Sequence, residues 1–232
     1  PPHSGRISIA SFCVEQGRWS ARGREDVAKF SSSNASAPRQ TRVAMATPPA
    51  PNVAGNPRSE TAARQHEVWK GVAAAQAKLS DKVGAVVASP ASRSSLQLAL
   101  ENEKLKDRQK VYLAALEPAG GKASDIIGVA FAINGKLSSA ELYPSNGLFR
   151  KMWSKLLRAS VTEAIAEKAD DADAPPAPDK VLAFLAAAEN GKPASKPLTA
   201  AVRLETRDAE HVLFFASARA NGEWIHRSYL AK

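Results

Sequence analysis

Cys13, Glu15, Arg18 and Trp19 put a thiol, a carboxylate, a guanidinium and an indole within seven positions, with Gly17 free to bend the chain between them. A thiolate attacks electrophiles when a base stands beside it. An arginine fork grips phosphate or carboxylate, and an indole stacks on a planar ring. The ligand-binding set these types suggest is Glu15, Arg18 and Trp19, joined by Gln65 and Trp69, which lie four apart on one helical face. A nucleophilic reaction would instead use Cys13, with His226 or His211 as its base. Each residue also has an ordinary role. An unpaired cysteine is most often a packing residue on a buried strand face. Glu15 and Arg18 suit an ion pair that fixes a turn, and Trp19, Trp69 and Trp153 suit a core. Ser160 and Glu163, one turn apart, read as exposed helix residues or as a small polar pocket. His226 alternates with Ile225 in the last strand and faces solvent or a polar cleft.

Composition removes several classes of chemistry. A single cysteine permits no disulfide within the chain, and with four scattered histidines it offers no metal-ligand spacing; neither metal nor cofactor is expected. The 32 basic and 23 acidic residues leave a formal charge of +9, but no long run of one sign occurs. Such a diffuse field attracts anions in general and predicts no specific nucleic-acid partner. No apolar run reaches the roughly 18 residues that a membrane span needs. The chain contains no G-x-S-x-G, no Walker loop, no G-x-G-x-x-G after a strand and no H-E-x-x-H. Gly120-Gly121-Lys122 is too little for a phosphate cradle. Asp170, Asp171 and Asp173 sit in a proline-rich stretch that lacks the rigid support a catalytic group needs. The start at Pro1 carries neither Met nor a signal-like segment, and localisation is not read from it.

The elements that must position these groups follow from periodicity and punctuation. At 44% hydrophobic and 6% aromatic, with much of the apolar content alanine, the composition suits helices packed closely on a modest sheet. A first strand is expected over Arg6–Val14, then a polar turn, then a long irregular excursion over residues 31–57. Helices are expected over Glu60–Leu79 and Ser94–Glu117, the second with Leu98, Leu105, Tyr112 and Leu116 on its stripe. Lys82–Val87 reads as a short extended piece between them. Asp125–Ile133 reads as a strand buried on both faces, and Asn134-Gly135 is a strong hairpin signal returning through Lys136–Tyr143. Asn146–Lys168 is a long amphipathic helix, residues 169–178 are a Pro/Asp-rich linker, and Asp179–Glu189 is a further helix. Three strands close the chain: Leu198–Thr206, His211–Ala218 and Glu223–Leu230. The expectation is one α+β domain over residues 1–232, a mainly antiparallel sheet packed against several helices.

Several stretches in series resemble a family. They are Cys13-Val14-Glu15-Gln16-Gly17-Arg18-Trp19, Gln65 with Val68-Trp69, the Gly128–Gly135 hairpin, and Phe149–Ala164 with Trp153, Leu156, Leu157 and Ser160. Together they resemble the bacterial ARG and Rhodanese-phosphatase-superfamily-associated protein domain, ARG being ADP-ribosylglycohydrolase. The resemblance covers most of the chain in order. It implies company with ADP-ribose-processing and phosphatase-like proteins, and no established activity. Members carry a further stretch before the Cys-containing strand, with an acidic turn and an Asn-Arg pair; here Pro1–Gly5 precede it, so a missing N-terminal segment is expected. Three functions follow. The first is an accessory module binding an anionic small molecule linked to NAD or ADP-ribose. The second is a structural or interaction module with a protein partner, and the third is a Cys-dependent hydrolase or transferase.

Overall fold

Helix α2 (Pro57–Val83) carries Val68, Val72, Ala75, Leu79 and Val83 at successive spacings of four, three, four and four, and all five are buried. The computed structural model describes residues 13–16, 37, 39–46 and 57–232. These divide into a helical unit and a sheet unit, with helix α5 (Asn146–Glu167) passing from the sheet unit into the helical one near Ser154. The sheet and its companion helices make an α+β fold, as the pattern of elements predicts. Of the expected first strand only Cys13 and Val14 are described, and both are in non-strand backbone. The rest of that strand lies outside the described residues, as do Gly17, Arg18 and Trp19.

In the helical unit, the stretch read as irregular contains helix α1 (Arg39–Ala46), which meets α2 where Thr41 comes within 3.6 Å of the position a Cβ on Gly71 would take. Helix α2 runs four residues past the expected Leu79, through Lys82 and Val83, where an extended piece is expected. It ends on Gly84 at φ 69°, with the Ala85 amide donating to the Ser80 carbonyl, a glycine-terminated helix end. The expected second helix is two: α3 (Leu96–Leu100) and α4 (Glu103–Leu116). Ser95 Oγ accepts from the Leu98 amide and Asn102 Oδ1 from the Leu105 amide, both at 3.3 Å, so a second N-cap interrupts the helix. That break rephases the stripe. Leu105 and Gln109 are buried on α4, while Tyr112 and Leu116, expected in the core, are exposed. Gln109 Nε2 donates to Thr162 Oγ1 at 2.9 Å, tying α4 to the second part of α5, where Leu156, Leu157, Val161 and Ile165 are buried.

The sheet unit is one antiparallel sheet in the order β1-β2-β6-β5-β4-β3. Its strands are β1 (Gly128–Ile133), β2 (Lys136–Leu142), β3 (Lys192–Pro197), β4 (Val202–Asp208), β5 (Val212–Arg219) and β6 (Trp224–Ala231). Asn134 and Gly135 take φ 51° and 76°, the left-handed pair that a two-residue hairpin requires. Strand β1 lies at a sheet edge and is half-buried, so its apolar run does not mark burial on both faces. Strand β3, Lys-Pro-Ala-Ser-Lys-Pro, is a fourth C-terminal strand beyond the three expected. Fully exposed at the other edge, it shows no apolar alternation to announce it.

Helix α6 (Pro178–Glu189) covers one sheet face. Ala188, Phe184 and Leu185 pack there on Ala140, Val212, Phe214, Ala216 and Tyr229. Burying each such side chain contributes about 1.5–3 kcal/mol for the larger ones. At the helix end the Tyr229 hydroxyl donates to Glu189 Oε1 at 2.5 Å, and Arg227, lying 5.0 Å over the Trp224 ring, reaches the same carboxylate. On the opposite face Phe131 and Trp153 stack at 6.1 Å, and Trp153 meets Phe149 at 5.7 Å. Gly120 is needed there, because a Cβ on it would stand 2.3 Å from the Trp153 ring. Residues 169–178 have little regular structure before α6. They pass over the hairpin, where Asp173 sits 2.4 Å from the Cβ position of Gly135 and the Ala169 amide donates to Asn134.

Candidate functional site

In the helical unit the Cys13–Gln16 segment is held by side chains on two sides. Gln65 uses both ends of its amide on one residue, accepting from the Cys13 amide at 2.8 Å and donating to the Cys13 carbonyl at 2.7 Å. Such a pair substitutes for a strand partner and explains how a loop backbone lies against α2 without losing hydrogen bonds. The Cys13 thiol donates to the Glu15 carbonyl at 2.9 Å. Glu15 is buried, and its Oε1 accepts from Ser92 Oγ at 2.5 Å; Ser94 Oγ donates to the Gln16 carbonyl at 2.7 Å.

This geometry brings Cys13, Glu15 and Gln65 together and gives them fastening contacts. A thiol that donates a hydrogen bond is protonated, not the attacking thiolate. Among the described residues no histidine bonds to it: His226 binds a carboxylate in the sheet unit, and His211 is exposed beside Glu210. What the segment leaves open is on α2. Trp69 Nε1 and Arg64 Nε, flanking Gln65 in sequence, are buried and meet no hydrogen-bond partner among the described residues. Arg64 is a donor that sequence reasoning does not single out; its signal is its place one residue before Gln65 and four before the core residue Val68. Glu163, read as an exposed helix residue, is buried and accepts from Arg39 Nε at 2.7 Å. Arg39 reaches Glu167 as well, so this acidic pair fastens α1 to α5.

The sheet unit holds a second polar cluster. Glu141, on β2, is 2% exposed, yet its Oε2 lies 2.7 Å from His226 Nε2 and its Oε1 accepts from Ser228 Oγ at 3.0 Å. The Tyr143 ring stacks on the imidazole with centroids 4.7 Å apart. A buried carboxylate costs several kcal/mol unless paired, and His226 on β6 supplies the counter-group. The register places both on the face opposite α6: Ala140 pairs with Tyr229 on the α6 side, and Glu141 pairs with Ser228 on the other. Glu141 is legible only through that register, as a lone acid between Ala140 and Leu142 in the strand that follows the Asn-Gly turn.

The family model for the ARG and Rhodanese-Phosphatase-superfamily-associated Protein domain matches residues 1–230. The chain belongs to this family. By its description the family is a domain associated with ARG and rhodanese-phosphatase superfamily proteins. No curated protein and no solved structure matches the chain. No described helix is long and apolar enough to cross a membrane.

Proposed function

We propose that the protein is an accessory domain whose helical unit binds a small anionic ligand beside the Cys13–Gln16 segment. The observation that carries this reading is the pair of buried, unmatched donors, Arg64 Nε and Trp69 Nε1, next to a backbone segment already pinned by Gln65. An unpaired buried donor costs about 1–3 kcal/mol, a cost that an acceptor-rich ligand would offset. In this reading Arg18 and Arg64 meet the anionic groups, Trp19 or Trp69 lies against a planar ring, and Glu15 and Gln65 hold the segment in place. The family's association with ARG proteins makes ADP-ribose and NAD the first molecules to try.

Thermal denaturation with millimolar ADP-ribose, NAD or inorganic phosphate tests it. Ligand at about 100 times its Kd adds about 2.7 kcal/mol. In a chain of this length that raises Tm by about 5–10 °C. Trp69→Phe keeps the ring and removes the N–H. It is expected to leave the unliganded Tm unchanged or higher while shrinking the ligand shift. No shift with any of the three ligands overturns the reading.

A second reading, docking of a protein partner, is favoured by α4, where Val111 is 73% exposed and Tyr112 and Leu116 are also open to solvent. Val111→Asp with Leu116→Asp would abolish co-purification of such a partner and leave Tm unaltered.

A further inference from the structure

The register that sets Glu141 beside His226 also sets a hydroxyl on the imidazole's other flank. Ser217 on β5 pairs directly with His226, so their side chains leave the same face of the sheet. Directly opposed Cβ atoms in an antiparallel pair stand about 4.5–5.5 Å apart, within reach of a side-chain rotation. The β5–β6 register shifts between Ser217 and Ala218, a bulge of the kind that re-aims the residue beside it. Ser217 is partly exposed, and its hydroxyl makes no hydrogen bond among the described residues. His226 uses Nε2 on Glu141 and is about one-third exposed, with no hydrogen bond at Nδ1 among the described residues. Three neighbouring strands, β5, β6 and β2, thus carry a free hydroxyl, an imidazole with one open nitrogen, and a buried carboxylate that orients the ring.

We propose that Ser217, His226 and Glu141 form a nucleophilic site for small carboxylic esters, independent of the ligand reading for the helical unit. Ser217 is the nucleophile and His226 the base; Glu141 is a positioning residue that fixes the imidazole and steadies its charged form. Leu204, opposed to Ser217 on β4, and Phe215, two residues along β5, share this face and favour an apolar acyl group. In the first step the Ser217 hydroxyl proton passes to His226 Nδ1 while Oγ bonds to the acyl carbon. The bond from that carbon to the alcohol oxygen then breaks, and the departing oxygen takes the proton back from Nδ1. Water, deprotonated by the same nitrogen, cleaves the acyl-serine to the free acid and restores the hydroxyl.

The test uses the full chain with p-nitrophenyl butyrate and with a fluorophosphonate probe whose attachment point is found by peptide mass spectrometry. Probe mass on Ser217, ester cleavage above the buffer rate, and loss of both in Ser217→Ala at unchanged Tm are the expected results. His226→Asn is expected to lower the rate about 100- to 10,000-fold. Glu141→Asp should recover part of the rate that Glu141→Gln loses, and Glu141→Gln should displace the acidic limb of the pH–rate profile, a readout that a packing role would not move. Ser217→Ala deletes one atom at a partly exposed position, so it decides the matter even if the His226 or Glu141 variants unfold. An unlabelled Ser217, or ester cleavage unchanged in Ser217→Ala, overturns the proposal.

Discussion

Glu15 in the helical unit and Glu141 in the sheet unit are both buried carboxylates, and both accept a serine hydroxyl. They differ in the company around them. Glu15 belongs to a segment whose thiol and backbone are already engaged by Glu15 itself and by Gln65. Glu141 faces an imidazole whose second nitrogen is open. A carboxylate that accepts a serine hydroxyl beside a pinned backbone fixes the chain. A carboxylate against a titratable ring also decides where a proton resides. Density of reactive side-chain types along a sequence is therefore a poor guide to reactivity: Cys13 and Glu15, the described members of the dense cluster, make fastening contacts.

That contrast can be broken most directly at Glu141. Glu141→Ala strips the buried Ser228 hydroxyl and the partly exposed His226 imidazole of their shared partner and is expected to destabilise the protein by about 3 kcal/mol, read from the urea midpoint. Should Glu15→Ala cost as much, the distinction between the two carboxylates fails. Gln65→Ala leaves the Cys13 amide and carbonyl without their side-chain partner and is expected to cost about 1–3 kcal/mol in the same assay.

Tyr229 gives the sheet unit a pH signature. Burial, and then the hydrogen bond to Glu189, hold the Tyr229 phenol well above its usual value of about 10. With the folded-state value raised, the stabilisation is complete below about pH 10 and is lost as pH climbs beyond it, at up to about 1.4 kcal/mol per pH unit. Tyr229→Phe, which has no phenol to titrate, should flatten that part of the pH–stability curve measured by denaturant unfolding. The smallest effect belongs to the thiol: Cys13→Ala removes one weak hydrogen bond and should cost under about 1 kcal/mol. It should also leave any ester cleavage intact, whereas a large loss of cleavage would return the nucleophile's role to Cys13.

Where the sequence is legible and where it is not follows from physical range. The Asn134-Gly135 turn, the long helices and the C-terminal hairpins are written in local signals, and they emerge within a few residues of expectation. The split at Asn102 is also local, but it needs the competition between an N-cap and an apolar stripe to be weighed. Strand β3 has no apolar pattern because both its faces are exposed, so only its pairing with β4 defines it. Glu163 is hidden for another reason, since its partner Arg39 is 124 residues away. Glu141, His226 and Ser217 likewise meet only through register, which a one-residue slip would undo.

The outer strand of the sheet has a consequence for how the molecule behaves at high concentration. Leu198 turns its amide inward to the Val202 carbonyl, so by alternation the outward amides of β3 belong to positions 193, 195 and 197. Two of those are prolines, leaving Ser195 as the single donor along that rim. A foreign strand arriving there would find almost nothing to hydrogen-bond, and the flanking lysines would repel a second copy of the same rim. Fibrillar growth along this side is blocked by two pyrrolidine rings.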